Sequence, residues 1–270
     1  MTPVNQNIQQ LEACARAGHA ESQYYLGVCL AQGIGVPLDQ DTALKWVRRA
    51  AGKGHIPAQT WLGNLYLSAH DEERARYWYE QAALLGNSDA MYYLSLIYLH
   101  GNVLGADPDI AFQWLKKAAD HGHLDAMGRL GYMYCLGIGT KQNYELAMIW
   151  FEKAGHLGDT VAQALLGTAF LTGCGVQKHE HSARYWFSQL KLSVVSPKTL
   201  TTLADIVFEG SLMPRSPVAA YILLCIHGKI YPDFKVNLEP IVSLLSDYQL
   251  HHADRMVKSV IEDKVAFMVQ

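Results

Sequence analysis

The amino-acid sequence predicts an all-α solenoid of antiparallel helix pairs, and two ladders of recurring residues carry this prediction. Five of the six tryptophans recur at intervals of 32 or 36 residues, at Trp46, Trp78, Trp114, Trp150 and Trp186. A Leu-Gly pair recurs at the same two intervals, with serine replacing glycine in one copy, at Leu26-Gly27, Leu62-Gly63, Leu94-Ser95, Leu130-Gly131 and Leu166-Gly167. One supersecondary unit written five times at a nearly fixed period is typical of a solenoid.

Each repeat predicts two helices joined by a glycine-rich turn. Helix A surrounds the Leu-Gly pair and ends at a turn such as residues 33–36, where glycine permits the positive φ angles that reverse the chain. Helix B begins at a polar or acidic residue such as Asp39, Asp107 or Asn143 and carries an Ala-xx-Trp core. We expect the tryptophans to fill the gaps between successive repeats. The second repeat lacks four residues in its turn, which predicts a tighter connection.

The sequence divides into three segments. Residues 1–19 are predicted to form an N-terminal capping helix, because they resemble a lone helix B whose closing Gly18 is in register with the repeats. Residues 20–190 hold the five repeats. Residues 191–270 are predicted to form a degenerate sixth helix pair and C-terminal amphipathic helices, which cap an otherwise open hydrophobic end.

Composition excludes several classes of protein. The 270 residues are 50% hydrophobic and 17% charged with a formal net charge of −3, which argues against a disordered chain and a dedicated nucleic-acid binder. No stretch approaches the roughly 18 apolar residues of a membrane helix, and the first ten residues lack a signal-peptide core, so we expect a cytoplasmic protein without membrane insertion. Five cysteines at irregular spacings predict reduced, mostly buried thiols.

The sequence predicts no catalytic residue, no metal site and no cofactor. His19, His55 and His123 each follow the closing glycine of a repeat, where a polar turn residue is expected, and the histidine doublets lack the partners of a zinc site. The Gly-x-Gly turns lack the preceding strand and third glycine of a dinucleotide loop. No nucleophile elbow, HExxH helix or Walker loop occurs in the chain.

Taken together, the motifs resemble the Sel-1-like repeat family, which is related to the tetratricopeptide repeats. The shared pattern is Leu-Gly, an aromatic residue three positions later, Gly-x-Gly-Val, an acidic residue, Ala-xx-Trp and Ala-Ala-xx-Gly, and it spans residues 20–190. The resemblance implies a right-handed superhelix of helix pairs whose surfaces bind other proteins. It implies no catalysis in general, and its members are typically adaptors.

The five repeats are internal copies, so positions that vary between them are candidates for recognition. Counting from the Leu-Gly glycine, positions −3 and +1 vary and lie four residues apart, hence on one face of helix A, and position +5 extends this face by one turn. The packing that the resemblance implies puts this face in a concave groove. The candidate partner-binding residues, with one neighbour at position −2, are Tyr24, Val28, Asn64, Tyr92, Leu96, His100, Arg129, Tyr132 and Thr168.

Aromatic side chains beside small polar residues suit a peptide, a helix or the edge of a partner protein. The alternative for each tyrosine is that it packs against the neighbouring repeat. The leading hypothesis is therefore a non-enzymatic bacterial scaffold or adaptor that binds a protein or peptide in the groove, with self-association through the C-terminal helices compatible with it.

Two other functions follow from the resemblance. Some bacterial proteins with these repeats are immunity proteins that neutralise a secreted toxin, for example a type VI toxin. Cysteine-rich relatives have been linked to penicillin binding and suggest a cell-wall hydrolase, but they carry a cysteine pair in each repeat, and no repeat here has that pair.

Overall fold

The structure is a computed structural model that describes residues 3–101, 105–190, 197–230 and 237–268. The regular elements in those ranges are α-helices, and no strand occurs among them. The predicted all-α class and the repeated arrangement of helix pairs are confirmed.

The chain divides into two compact units, Met1–His123 and Leu124–Gln270. The first unit contains α1 (Pro3–Ala17), α2 (Ala20–Gln32), α3 (Gln40–Ala51), α4 (Ile56–Ser68), α5 (Glu72–Leu84), α6 (Ser88–His100) and α7 (Pro108–Asp120). The second unit contains α8 (Leu124–Leu136), α9 (Tyr144–His156), α10 (Thr160–Thr172), α11 (Glu180–Gln189), α12 (Pro197–Glu209), α13 (Pro217–Ile230), α14 (Glu239–Val242) and α15 (Asp247–Met268). The division of the sequence into three segments stays a prediction, and residues 191–196 and 231–236 lie outside the described residues.

Local sequence fixes the ends of these helices. The predicted starts of helix B are N-caps: Asp39, Asp107 and Asn143 each accept a hydrogen bond from a backbone N–H in the first turn of α3, α7 and α9. At the other end, α2 and α10 each finish at a glycine in the left-handed region, with φ of 70° at Gly33 and 78° at Gly173. The sequence therefore predicts these N-caps and C-terminal glycine turns correctly.

The glycine of the Leu-Gly pair allows helices A and B of one repeat to approach closely. A Cβ atom on Gly131 in α8 would lie 2.5 Å from the ring of Phe151 in α9, and one on Gly63 in α4 would lie 2.5 Å from the ring of Tyr79 in α5. Both rings are completely buried. In these two repeats, helix A carries glycine because the facing helix fills that space with an aromatic ring.

The tryptophans fill the interior less uniformly than expected. Trp150 and Trp186 in the second unit are buried, whereas Trp46, Trp78 and Trp114 in the first unit are half-buried. The side chains of Arg49 and Lys117 lie over the rings of Trp46 and Trp114, at 4.7 and 4.1 Å from the ring centroids. The largest fully buried side chains of helix B are instead at the next position, as in Phe151 and Tyr79.

The end of the second unit departs from a simple continuation of the repeats. Helices α12 and α13 form a further antiparallel pair, and both contact α10. The long helix α15 packs against α13 and α11 through the buried face of Ala253, Met256, Val257 and Val260. Tyr221 Oη donates to Asp254 Oδ1 at 2.8 Å, and an Arg184 nitrogen donates to Ser259 Oγ at 3.1 Å. Among the described residues, no helix combines the length and apolar character that crossing a membrane requires.

Candidate partner-binding surface

The first unit presents six of the nine candidate residues on three successive A helices. We call this set the A-helix stripe: Tyr24 and Val28 on α2, Asn64 on α4, and Tyr92, Leu96 and His100 on α6. Asn64 and His100 are exposed, and the other four are half-buried. Helices α4 and α6 contact each other directly, so their parts of the stripe are adjacent.

The two tyrosines of the stripe each contact a histidine that follows the closing glycine of the repeat. The ring of Tyr92 stacks on His123 with the centroids 4.4 Å apart, and Tyr24 meets His55 at 5.0 Å. An acidic residue lies near each pair, since His123 Nε2 is 3.5 Å from Asp89 Oδ1 and Glu21 interacts electrostatically with His55. Each contact lies within one repeat, so the alternative that these tyrosines pack against the neighbouring repeat stays a prediction, and both side chains are half-buried.

Burial shapes the electrostatics of the first of these pairs. It raises the pKa of Tyr24 and lowers the pKa of His55 more than nearby Glu21 raises it. The His55 Nδ1 atom accepts a hydrogen bond from the Ala58 N–H at 3.3 Å and so caps α4. The cap requires a neutral imidazole, because a protonated ring has no acceptor.

The residue at position −3 changes together with the residue that follows the closing glycine of the same repeat. Position −3 is tyrosine in the two repeats that end in histidine, which pair Tyr24 with His55 and Tyr92 with His123. Comparison of each repeat position by itself does not show this pairing. In the second unit, Gly128 stands opposite Asp159, and a Cβ atom on Gly128 would lie 3.0 Å from Asp159 Oδ2. Part of the variation at this position therefore reflects packing, not recognition.

The side chain of Asn64 is oriented by a hydrogen bond to a buried tyrosine of its own repeat. Its Oδ1 atom accepts a hydrogen bond from Tyr79 Oη at 2.6 Å, while the side chain stays exposed. Burial raises the pKa of Tyr79, so the phenol stays protonated and remains a donor. The amide nitrogen of Asn64 is thereby oriented on the surface.

The three candidate residues of the second unit differ from one another in exposure. Arg129 is exposed on α8. Thr168 is completely buried, and its hydroxyl donates to the Ala164 carbonyl at 3.0 Å. The prediction that Thr168 faces a partner is wrong, because this side chain and the whole run 162–169 of α10 are buried.

Tyr132 lines a cavity of about 330 Å³ whose opposite wall is the chain's own α12. The ring packs edge-to-face on Phe151 at 5.5 Å, and burial raises the pKa of the phenol. The other lining residues are Val161, Lys198, Thr199, Thr202, Leu203 and Ile206. In the second unit, the face predicted to bind a partner is therefore occupied in part by the C-terminal segment.

The described part of the chain holds no group of three or more His, Cys, Asp or Glu side chains placed to bind a metal ion. Burial raises the pKa of the Cys135 thiol to about 12 and that of Cys174 to about 11. Both thiols stay protonated near neutral pH, and the thiol is a far weaker nucleophile than the thiolate.

Recurring helix pairs with the same caps and the same close contact between helices define an α-solenoid repeat protein. The chain belongs to the Sel1 repeat family, whose model, described as "Sel1 repeat", matches residues 20–55, 56–87, 88–123, 124–159 and 160–190. The resemblance drawn from the sequence motifs is confirmed. Sel1 repeat proteins are generally protein-interaction scaffolds, and not catalysts.

Three similar proteins show how far this identification extends. Chitin synthase regulatory factor 4 of Schizosaccharomyces pombe is 34% identical over 86 residues, which cover 32% of this chain and 14% of that protein. A protective antigen of uropathogenic Escherichia coli with the same fold is 26% identical, with a TM-score of 0.64 over 97% of this chain and 57% of that chain. A Sel1 repeat protein of Oxalobacter formigenes is 23% identical, with a TM-score of 0.63 over 82% of this chain and 90% of that chain.

Proposed function

We propose that this chain is a non-enzymatic scaffold that binds a protein or peptide partner along the A-helix stripe of the first unit. The observation that carries the proposal is that the stripe combines variable residues with accessible surface on adjacent helices. Val28 and Leu96 offer apolar surface, while Asn64 and His100 are exposed polar side chains on the same stripe. Apolar contact area surrounded by polar groups that stay accessible to solvent is typical of a protein interface.

The Sel1 repeat family supports this proposal, because its members are generally interaction scaffolds. The chain spans 14% of the fission-yeast relative and 57% of the E. coli antigen, so a partner of either protein is not carried over to this chain. The partner is defined here by the surface that receives it, which is apolar at Leu96 and uncharged at Asn64. The Tyr132 cavity is the weaker candidate, since α12 already forms one wall of it.

The test is a comparative capture experiment from the native lysate. Leu96→Asp places a charge on the stripe, and Leu84→Asp is the matched control, because Leu84 lies on α5 and is 76% exposed. We expect one protein to be captured by the wild type and by Leu84→Asp but not by Leu96→Asp, with unchanged helicity by circular dichroism. Capture of the same proteins by all three chains would contradict the proposed surface.

The dissociation rate of the captured protein then separates two roles. A single cognate partner that dissociates very slowly indicates an immunity protein. Several partners that exchange rapidly indicate an adaptor. Most differences in affinity between related complexes lie in the dissociation rate, so this rate is the informative measurement.

A further inference from the structure

A second cavity, of about 460 Å³, lies in the second unit, far along the chain from the A-helix stripe. It is bounded by the turn after α10, the loop between α12 and α13, and the start of α15. Leu171, Pro214, Pro217 and Val218 form its apolar lining. The cavity shares no residue with the stripe, so either site can be lost without the other.

Three basic side chains from three separate segments line this cavity: Lys178, Arg215 and His252. Among the described residues that line the cavity, none is a carboxylate. The His252 Nε2 atom lies 3.7 Å from Glu180 Oε2, and the Glu180 side chain is 65% exposed. Lys and Arg are both charged at neutral pH, so the cavity has a positive potential that favours an anion.

Local contacts orient the guanidinium group of Arg215 and the aliphatic stem of Lys178. The Arg215 Nε atom donates to the Phe208 carbonyl at 2.9 Å, and the guanidinium lies over the Phe208 ring at 4.6 Å. Neither contact uses the terminal nitrogens of Arg215. The Lys178 stem lies against Gly173, where a Cβ atom would come within 2.9 Å of it. Both cations are exposed, and these contacts orient Arg215, while the Lys178 ammonium makes no hydrogen bond within the described residues and can pair with a carboxylate.

Neutral donors complete the polar half of the cavity. Ser216 is buried at the start of the 14-residue helix α13, and its Oγ accepts from the Ala219 N–H at 3.2 Å, so the hydroxyl proton remains to be donated. Gln249 Oε1 accepts from the Ser246 backbone N–H at 3.0 Å, so the Gln249 amide nitrogen remains a donor. The start of α13 also carries the positive end of the helix dipole.

We infer that this cavity binds an acidic peptide segment of a protein partner. One carboxylate of the segment lies between Lys178 and Arg215, and a neighbouring apolar side chain of the segment packs against Pro214 and Pro217. A peptide is favoured over a free oxyanion, because four of the ten described lining residues are apolar and a bare phosphate would leave that surface unfilled. Apolar surface with a few convergent charged groups is typical of ligand pockets.

The test measures binding of fluorescein-labelled, acetylated pentapeptides to the full chain by fluorescence anisotropy. Three probes alternate glutamate with leucine, phenylalanine or tryptophan, and their twins carry glutamine in place of glutamate. We expect at least one acidic probe to bind, its glutamine twin to bind at least about tenfold more weakly, and the affinity to fall as salt is added.

Variants locate that binding. Lys178→Ala and the double variant Lys178→Ala with Arg215→Ala should each weaken the acidic probe by about tenfold or more, because a charge-assisted hydrogen bond is lost. The matched control is Lys141→Ala with Lys153→Ala, which removes the same charge from exposed positions of the same unit. Lys178 makes no side-chain hydrogen bond or ion pair within the described residues, so Lys178→Ala tests the site without disturbing the fold.

Three results would overturn the inference. One is that the wild type binds none of the acidic probes. Another is that the control variant weakens binding as much as the Lys178 variants do. The third is that inorganic phosphate displaces the probe while exchange of its apolar residues for serine leaves the affinity unchanged, which identifies a simple oxyanion site.

Discussion

The ring of Tyr92 lies parallel to the imidazole of His123, with the centroids 4.4 Å apart and the planes at 17°. Tyr24 and His55 occupy the equivalent places in the first repeat. Each tyrosine therefore links one helix A to the residue that follows the closing glycine of its repeat. This contact restricts the motion of each half-buried ring, which reduces the conformational entropy that is lost when a partner binds.

The stability of the first unit should decrease at acidic pH through His55. Burial lowers the pKa of His55 in the folded chain, so the unfolded chain binds more protons once the pH falls through its ordinary value of about 6.5. The stabilisation is present above that pH and is lost as the pH falls to the lowered folded pKa. Protonation also removes the Nδ1 acceptor that caps α4.

His55→Asn is the matched control for this effect, because Asn87 already caps α6 through its own side chain. The free energy of unfolding, measured by urea denaturation between about pH 8 and pH 5, should fall more in the wild type than in His55→Asn. Equal losses in the two chains would show that His55 does not contribute to the pH dependence.

Gly131→Ala should destabilise the chain by about 2 kcal/mol, because the new methyl group would overlap the Phe151 ring. The third repeat shows the compensated arrangement, in which Ser95 occupies the glycine position and Leu115 the aromatic position. Adding Phe151→Leu to Gly131→Ala should therefore recover part of the loss. In a double-mutant cycle by urea denaturation, strictly additive effects would disprove this contact.

His70→Gly should stabilise the chain by about 0.5 kcal/mol. His70 has φ of 57°, and the left-handed conformation costs a residue with a Cβ atom about 1 kcal/mol or more, which slightly exceeds the entropy that glycine adds to the unfolded chain. His70→Ala retains the Cβ atom and should give no gain. Thermal unfolding of the three chains tests this, and a lower melting temperature for His70→Gly would refute it.

Tyr221→Phe should cost about 1 kcal/mol of stability, because the buried hydroxyl loses its hydrogen bond to Asp254 on α15. Tyr248→Phe is the control, since Tyr248 lies on α15, the helix that carries Asp254, and its side chain is 76% exposed. Chemical denaturation should show a loss for the first variant and no change for the second. Equal stabilities would indicate that this hydrogen bond does not help to hold α15.

Much of the architecture was readable from the sequence because it depends on short-range signals. Polar caps such as Asp39 and Asn143, and glycine at the C-terminal turns, act within a few residues of the helix ends they determine. The recurring tryptophans and Leu-Gly pairs indicate the length of the repeat. The matched Sel1 repeats cover the same residues 20–190. The short turn of the second repeat also appears as predicted, with α4 ending at Ser68 and α5 starting at Glu72.

The candidate site was harder to predict, because exposure depends on what packs on a helix from elsewhere in the chain. Thr168 and Asn64 occupy the same position of the repeat, yet Thr168 is fully buried and Asn64 is exposed. Helix α10 packs against α9, α11, α12 and α13, whereas α4 packs against α3, α5 and α6, so the contact with α13 is what distinguishes α10. Nothing in the local sequence around Thr168 carries that information.

The sequence by itself determined the class of fold, the number of Sel1 repeats and the ends of their helices, since those depend on helical periodicity and on capping residues within one turn. Only the tertiary structure decided which faces stay accessible and which side chains meet. It placed Tyr92 on His123, filled the space opposite Gly131 with Phe151, and brought Lys178, Arg215 and His252 to one cavity. Those contacts join distant segments, and their energies depend on packing that no local pattern records.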